Sequence, residues 1–137
     1  MKNVYILDDY KTSARNGIGT YLQELLACLK SLHVFVWTVK FNSPEPFFRI
    51  KTGEEVTEMH FPPFTEGIFL SHHKIIEKFF RLHITDSPDN LFMVNHSPCE
   101  NLLKALKTAF PLSKLTFTIH DSGWQSLEKC MILRYLN

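Results

Sequence analysis

His120-Asp121 offers the clearest acid–base chemistry in this 137-residue chain. The pair follows an apolar run, Leu115 to Ile119, that has the length of a strand. Histidine changes charge near neutral pH and a neighbouring carboxylate can orient it, so the pair could polarise a substrate hydroxyl. The plainer role is a loop histidine that helps to cap the next helix. Asn16-Gly17-Ile18-Gly19 opens a helical pattern. Two glycines let the backbone approach a ligand, and free N–H groups at a helix start favour phosphate. A glycine-rich cap with no ligand would carry the same letters. Asn95-His96-Ser97-Pro98 follows another apolar run, Leu91 to Val94, and also reads as an ordinary start of a helix.

Stricter motifs are missing. A dinucleotide fingerprint needs a third glycine directly after the first strand and an acid about 20 residues later. Val39-Lys40 stands in that later region. The sequence has no Gly-Lys-Ser/Thr, which excludes a P-loop, and no Cys-x-x-Cys or His-x-x-x-His spacing. His72 and His73 are adjacent in a helical pattern and would face different directions, so they make no metal pair. Asp8-Asp9 could hold a cation, although two acids ending a strand more commonly cap the sheet edge. No metal or other cofactor is expected.

These residues need a scaffold, and the apolar pattern supplies one. Val4–Leu7, Val34–Val39, Leu91–Val94 and Leu115–Ile119 are short, nearly all-apolar segments that read as strands, and the unbroken run Val4–Leu7 suits a strand covered on both faces. Between them lie helical patterns over about 17–30, 69–83 and 100–109. Ile18, Leu22, Leu25 and Leu29 give the first an apolar face, and Ile75, Ile76, Phe79 and Phe80 give the second. Pro44, Pro46, Pro62 and Pro63 exclude a long helix in the middle, where Thr52-Gly53-Glu54 reads as the turn of a hairpin between 47–51 and 56–61. Phe61-Pro62-Pro63-Phe64 is expected to pack rather than to line an acceptor groove. The fold class is therefore α/β: a Rossmann-like parallel sheet flanked by helices, with a hairpin-like insertion. Its strand order is not readable. In such a sheet ligands bind beyond the carboxyl ends of the strands. Gly17, Gly19, Asn95, His96, His120 and Asp121 are thus expected to share one crevice.

Composition narrows the class. Forty-five per cent of the residues are hydrophobic, enough for a core, and the net charge of +1 with interleaved signs argues against nucleic acid. No apolar run approaches a transmembrane segment, and with Met1-Lys2-Asn3 running straight into a strand-like segment no signal peptide is expected. Cys28, Cys99 and Cys130 are odd in number and widely spaced; Cys28 and Cys99 fall in helix-like patterns, as reduced core thiols would. A cytoplasmic location is expected.

Asn16-Gly17-Ile18-Gly19-Thr20-Tyr21 and Thr118-Ile119-His120-Asp121, in this order and separation, resemble the N-terminal domain of GT-B-fold glycosyltransferases of the family-four, glycogen-synthase-like type. Val4-Tyr5-Ile6-Leu7-Asp8-Asp9-Tyr10 and Thr12-Ser13-Ala14-Arg15-Asn16 look like a branch found beside radical-SAM peptide-maturation enzymes. The resemblance covers 1–125, one acceptor-side domain, with 126–137 the start of a helix. It implies retaining transfer of a sugar from a nucleotide-sugar donor to a glycan or peptide acceptor, without bound metal. Gly17 and Gly19, with Asn16 and Ile18 beside them, would approach the donor diphosphate. His120 would contact the transferred sugar or the acceptor, and Asp121 would position the loop or the acceptor. The donor-binding domain of that family, with its E-x(7)-E motif, is missing from these residues. The resemblance therefore implies a longer enzyme, of which this portion alone is inactive.

Two other classes compete. A phosphoacceptor receiver domain shares the acidic pair after the first strand, but it needs an Asp after the third strand and a late Lys. Lys40-Phe41-Asn42 and Asn95-His96 stand where that Asp is wanted. A non-catalytic α/β binding module is the other.

Overall fold

The structure, a computed structural model, describes residues 1–10, 18–64, 72–95, 99 and 101–118. Its elements in chain order are β1 (Asn3–Asp9), α1 (Ile18–Ser31), β2 (Phe35–Phe41), β3 (Arg49–Thr52), β4 (Val56–His60), α2 (His72–His83), β5 (Asn90–Val94), α3 (Leu102–Ala109) and β6 (Lys114–Phe117). The strands form one sheet in the order β3-β4-β2-β1-β5-β6. Every neighbouring pair is parallel except β3 with β4. This is the expected Rossmann-like α/β architecture.

β1 lies inside the sheet and is covered on both faces, which explains why it is apolar without alternation. The two-residue period of a strand then divides its side chains. Val4 and Ile6 join Leu22, Leu25, Leu26 and Leu29 of α1 on one face. Tyr5 and Leu7 join the larger cluster on the other, with Ile76 and Phe80 of α2 and Leu102, Leu103 and Leu106 of α3. Tyr5 stacks on Phe92 with ring centroids 5.0 Å apart.

The hairpin is less of an insertion than its sequence suggests. β4 runs parallel to β2 as a full member of the sheet, and only β3 runs the other way, at the edge. The segment after β4 packs as expected: Phe61 is buried, and Phe64 stacks on His72 at 4.4 Å. Cys28 departs from expectation. It is exposed, because it lies about 120° around α1 from Leu22 and so misses the buried arc. Cys99 lies half-buried against the core just ahead of α3, and burial pushes its thiol up to about 11, which leaves it a poor nucleophile.

At the amino edge a polar network ties β5 to the turn before β6. Asn90 donates to Thr85 O at 2.8 Å and to Ser113 Oγ at 3.2 Å, and Ser113 donates to Asp86 at 2.8 Å. No helix among the described residues is long and apolar enough to cross a membrane.

The β3–β4 turn closes through Gly53 N–H, which donates to Val56 O at 2.9 Å. A Cβ on Gly53 would meet that same oxygen at 2.7 Å, so backbone has to shift to admit one. Gly53→Ala is expected to cost about 1 kcal/mol or more in urea unfolding, where a strain-free Gly→Ala change would stabilise.

Candidate functional site

Strand order decides where ligands can sit. The chain leaves β1 through α1 to β2 on one side and returns through α2 to β5 on the other. The strands on either side of β1 are therefore reached by opposite routes, the arrangement that opens a crevice at the carboxyl edge of a sheet. β1, β2, β4, β5 and β6 all end at that edge.

Three of the expected site residues fall among the described ones. Ile18 and Gly19 form the start of α1, after β1. Asn95 is buried at the end of β5, and its N–H donates to Leu7 O at 2.9 Å, which sets it beside the end of β1. Asn16, Gly17, His96, His120 and Asp121 lie outside the described residues. The last described residue before His120 is Thr118, whose N–H donates to Val94 O at 2.9 Å and keeps β6 in step with β5 to that point.

The same edge holds a constellation that sequence reading missed. Asp8 and Asp9 end the buried β1 at the carboxyl edge of the sheet, and alternation sends them to opposite faces. On the α2–α3 face Asp9 accepts a short hydrogen bond from Asn42 Nδ2. Asn42 sits at φ 55°, a left-handed conformation that asparagine tolerates better than most residues. On the α1 face Asp8, 1% exposed, takes a salt bridge from Lys40 Nζ at 3.1 Å. Lys40 occupies the region where a dinucleotide-binding fold would carry an acid, and it serves the first strand instead.

The cross-strand register extends this pair into a row. Asp8 pairs with Lys40, Lys40 with His60 and His60 with Arg49, one side chain from each of four neighbouring strands. Tyr10 closes over the row, its hydroxyl 2.7 Å from His60 Nδ1. Glu58 Oε2 stands 3.9 Å from His60 Nε2, and Glu45 pairs with Arg49 at 3.2 Å. Burial pushes the His60 pKa below its usual value; Glu58 and Glu45 oppose that shift and Arg49 reinforces it. Burial also raises Tyr10, with Glu58 next in effect, so the phenol keeps its proton. A phenol that donates to Nδ1 leaves the proton of the neutral imidazole on Nε2.

Chemically the row combines a buried carboxylate, a buried imidazole and a phenol with a half-buried ammonium and guanidinium. Among the described residues, no three or more His, Cys, Asp or Glu side chains are placed to hold a metal ion. Asn95 stands beside the acidic pair, at the strand end where a receiver domain requires its phosphoacceptor Asp. No known protein family and no curated protein matches the chain. The reading therefore rests on the chain's own residues.

Two outcomes follow from the row. Lys40→Met should destabilise the fold by about 3 kcal/mol in denaturant titration, because it strands a buried carboxylate without its counter-charge. His60 binds protons less readily in the folded state than in the unfolded one. Stability therefore falls as pH drops below the unfolded histidine value of about 6.5, by at most roughly 1.4 kcal/mol per pH unit from this group. His60→Asn, which keeps an acceptor for Tyr10, should lose less stability between pH 7.5 and 5.5 than the parent chain does.

Proposed function

We propose that this chain is the acceptor-side half of a retaining glycosyltransferase of GT-B type, which moves a sugar from a nucleotide-sugar donor to a glycan or peptide acceptor. The observation that carries the reading is the switch point beside β1. α1 begins at the carboxyl edge with Ile18-Gly19, Asn95 is hydrogen-bonded to β1 there, and β6 keeps pace with β5 up to Thr118, two residues before His120. This is the arrangement in which the resemblance carried by the glycine pair and by His120-Asp121 makes chemical sense.

In this reading Gly17 and Gly19 let the backbone N–H groups of the helix start approach the donor diphosphate. His120 hydrogen-bonds the transferred sugar or the attacking hydroxyl, and Asp121 holds the loop that carries it. Asn16, Ile18, Asn95 and His96 line the same crevice. The donor nucleotide rests on a second domain, and the transition state needs groups from both walls held together. The free thiol of Cys28 suits a reducing, cytoplasmic setting.

The test is nucleotide release over a panel of nucleoside-diphosphate sugars, by the 137-residue chain and by the two-domain protein that the reading requires. Turnover by the longer protein alone is expected. His120→Ala should lower it roughly a hundred- to thousandfold with little loss of nucleotide binding, the effect of losing a donor that acts in the transition state. Gly19→Val should also impair donor use, by blocking backbone approach. Sustained release by the short chain, or a folded His120→Ala variant with normal turnover, overturns the proposal.

A further inference from the structure

Buried polar atoms are nearly always hydrogen-bonded, so a cluster of exceptions calls for an explanation. Among the described residues the buried side-chain atoms without a hydrogen-bond partner are Asp8 Oδ1, Thr38 Oγ1, Glu45 Oε2, Arg49 Nε and His60 Nε2. All five belong to one neighbourhood. Asp8, His60 and Arg49 are members of the cross-strand row, Thr38 precedes Lys40 by one strand repeat on the same face, and Glu45 is the ion partner of Arg49. The row has a floor and a rim. Asp8 and His60 are almost fully buried, whereas the side chains of Lys40, Glu45, Arg49 and Glu58 keep between a quarter and two-fifths of their surface in solvent.

We infer that this row is a binding site for a neutral, polyhydroxylated ligand, a sugar ring being the simplest class. Its charges are already matched within the protein: Lys40 with Asp8, and Arg49 with Glu45. Two cations face the three carboxylates of Asp8, Glu45 and Glu58, so a bare anion such as phosphate meets no excess of positive charge. A bound metal ion would find no third ligand among the described residues. The valences left over are single hydrogen-bonding positions of both kinds: acceptors on Asp8 and Glu45, donors on Arg49 and on a neutral His60, and the Thr38 hydroxyl, which is both. Hydroxyl groups donate and accept at once and bring no charge into the floor, so adjacent hydroxyls on a ring satisfy such a set. The inference stands on the row alone and holds whether or not a sugar is transferred.

The experiment needs no nucleotide and so separates this site from the transferase proposal. The ¹⁵N-labelled chain is titrated by NMR with methyl α-D-glucoside, mannose and N-acetylglucosamine, and in parallel with inorganic phosphate and with glycine. At least one sugar should move the amide signals of Asp8, Lys40 and His60 saturably. Glu45→Gln and Thr38→Val, both outside the Asp8–Lys40 pair and expected to fold, should weaken that binding roughly three- to tenfold each. Lys104→Ala, on the exposed side of α3, should leave it unchanged. Sugars that give no saturable shift, variants that bind like the parent, or phosphate or glycine binding in place of the sugars would each overturn the assignment.

Discussion

The carboxylate of Asp8 ends a strand that has no wet side. β1 is paired on both edges and covered on both faces, so its first acid has to be neutralised from within the protein. An isolated buried charge is costly enough to unfold a small domain, whereas a paired and hydrogen-bonded one is tolerated. The neutralising group is Lys40, directly opposite Asp8 in the parallel register with β2. A slip of one residue between β1 and β2 would turn Lys40 to the other face and set an apolar side chain across from the acid. The ion pair therefore helps to hold the register on which the two apolar clusters also depend.

That register carries outward. Once β2 is in step with β1, β4 brings His60 next to Lys40, and β3 adds Arg49 at the edge. Polar side chains at one end of four strands become a row, while the apolar residues below them seal the sheet. Tyr10 and burial then favour the neutral form of His60: the phenol occupies Nδ1, and burial outweighs the opposing pull of Glu58. The row is thus rich in functional groups but close to electrically balanced, which sets it apart from a site for a bare phosphate or a metal ion. The amino edge differs in kind. Asn90, Ser113 and Asp86 satisfy one another there, as in a structural clamp.

Much of the architecture was legible from local pattern, for a definite reason. Strands buried on both faces have to be apolar throughout, and a helix lying on a sheet has to repeat its apolar residues every three or four positions. Val4–Leu7, Leu91–Val94 and the Leu22–Leu25–Leu29 stripe could therefore be read directly. Cys28 shows the limit of such reading. It occupies a helical pattern rich in apolar residues, yet three-dimensional phase puts it in solvent.

The amino-acid sequence by itself determined the fold class, the extent of most elements and the polar character of the strand ends, because each depends on residues close together in the chain. The row from Arg49 through His60 and Lys40 to Asp8 was decided by tertiary structure alone. Neighbours in the row stand 11 to 32 positions apart in the chain, and they meet only because the sheet adopts the order β3-β4-β2-β1 with one register between each pair. A faint signal was present: Thr38 and Lys40 in β2, and Glu58 and His60 in β4, alternate with buried residues at the carboxyl ends of their strands. Alternation shows that such residues share a face of their own strand. Which strand lies alongside is set by how helices and sheet bury their apolar surface together, and no local pattern records that.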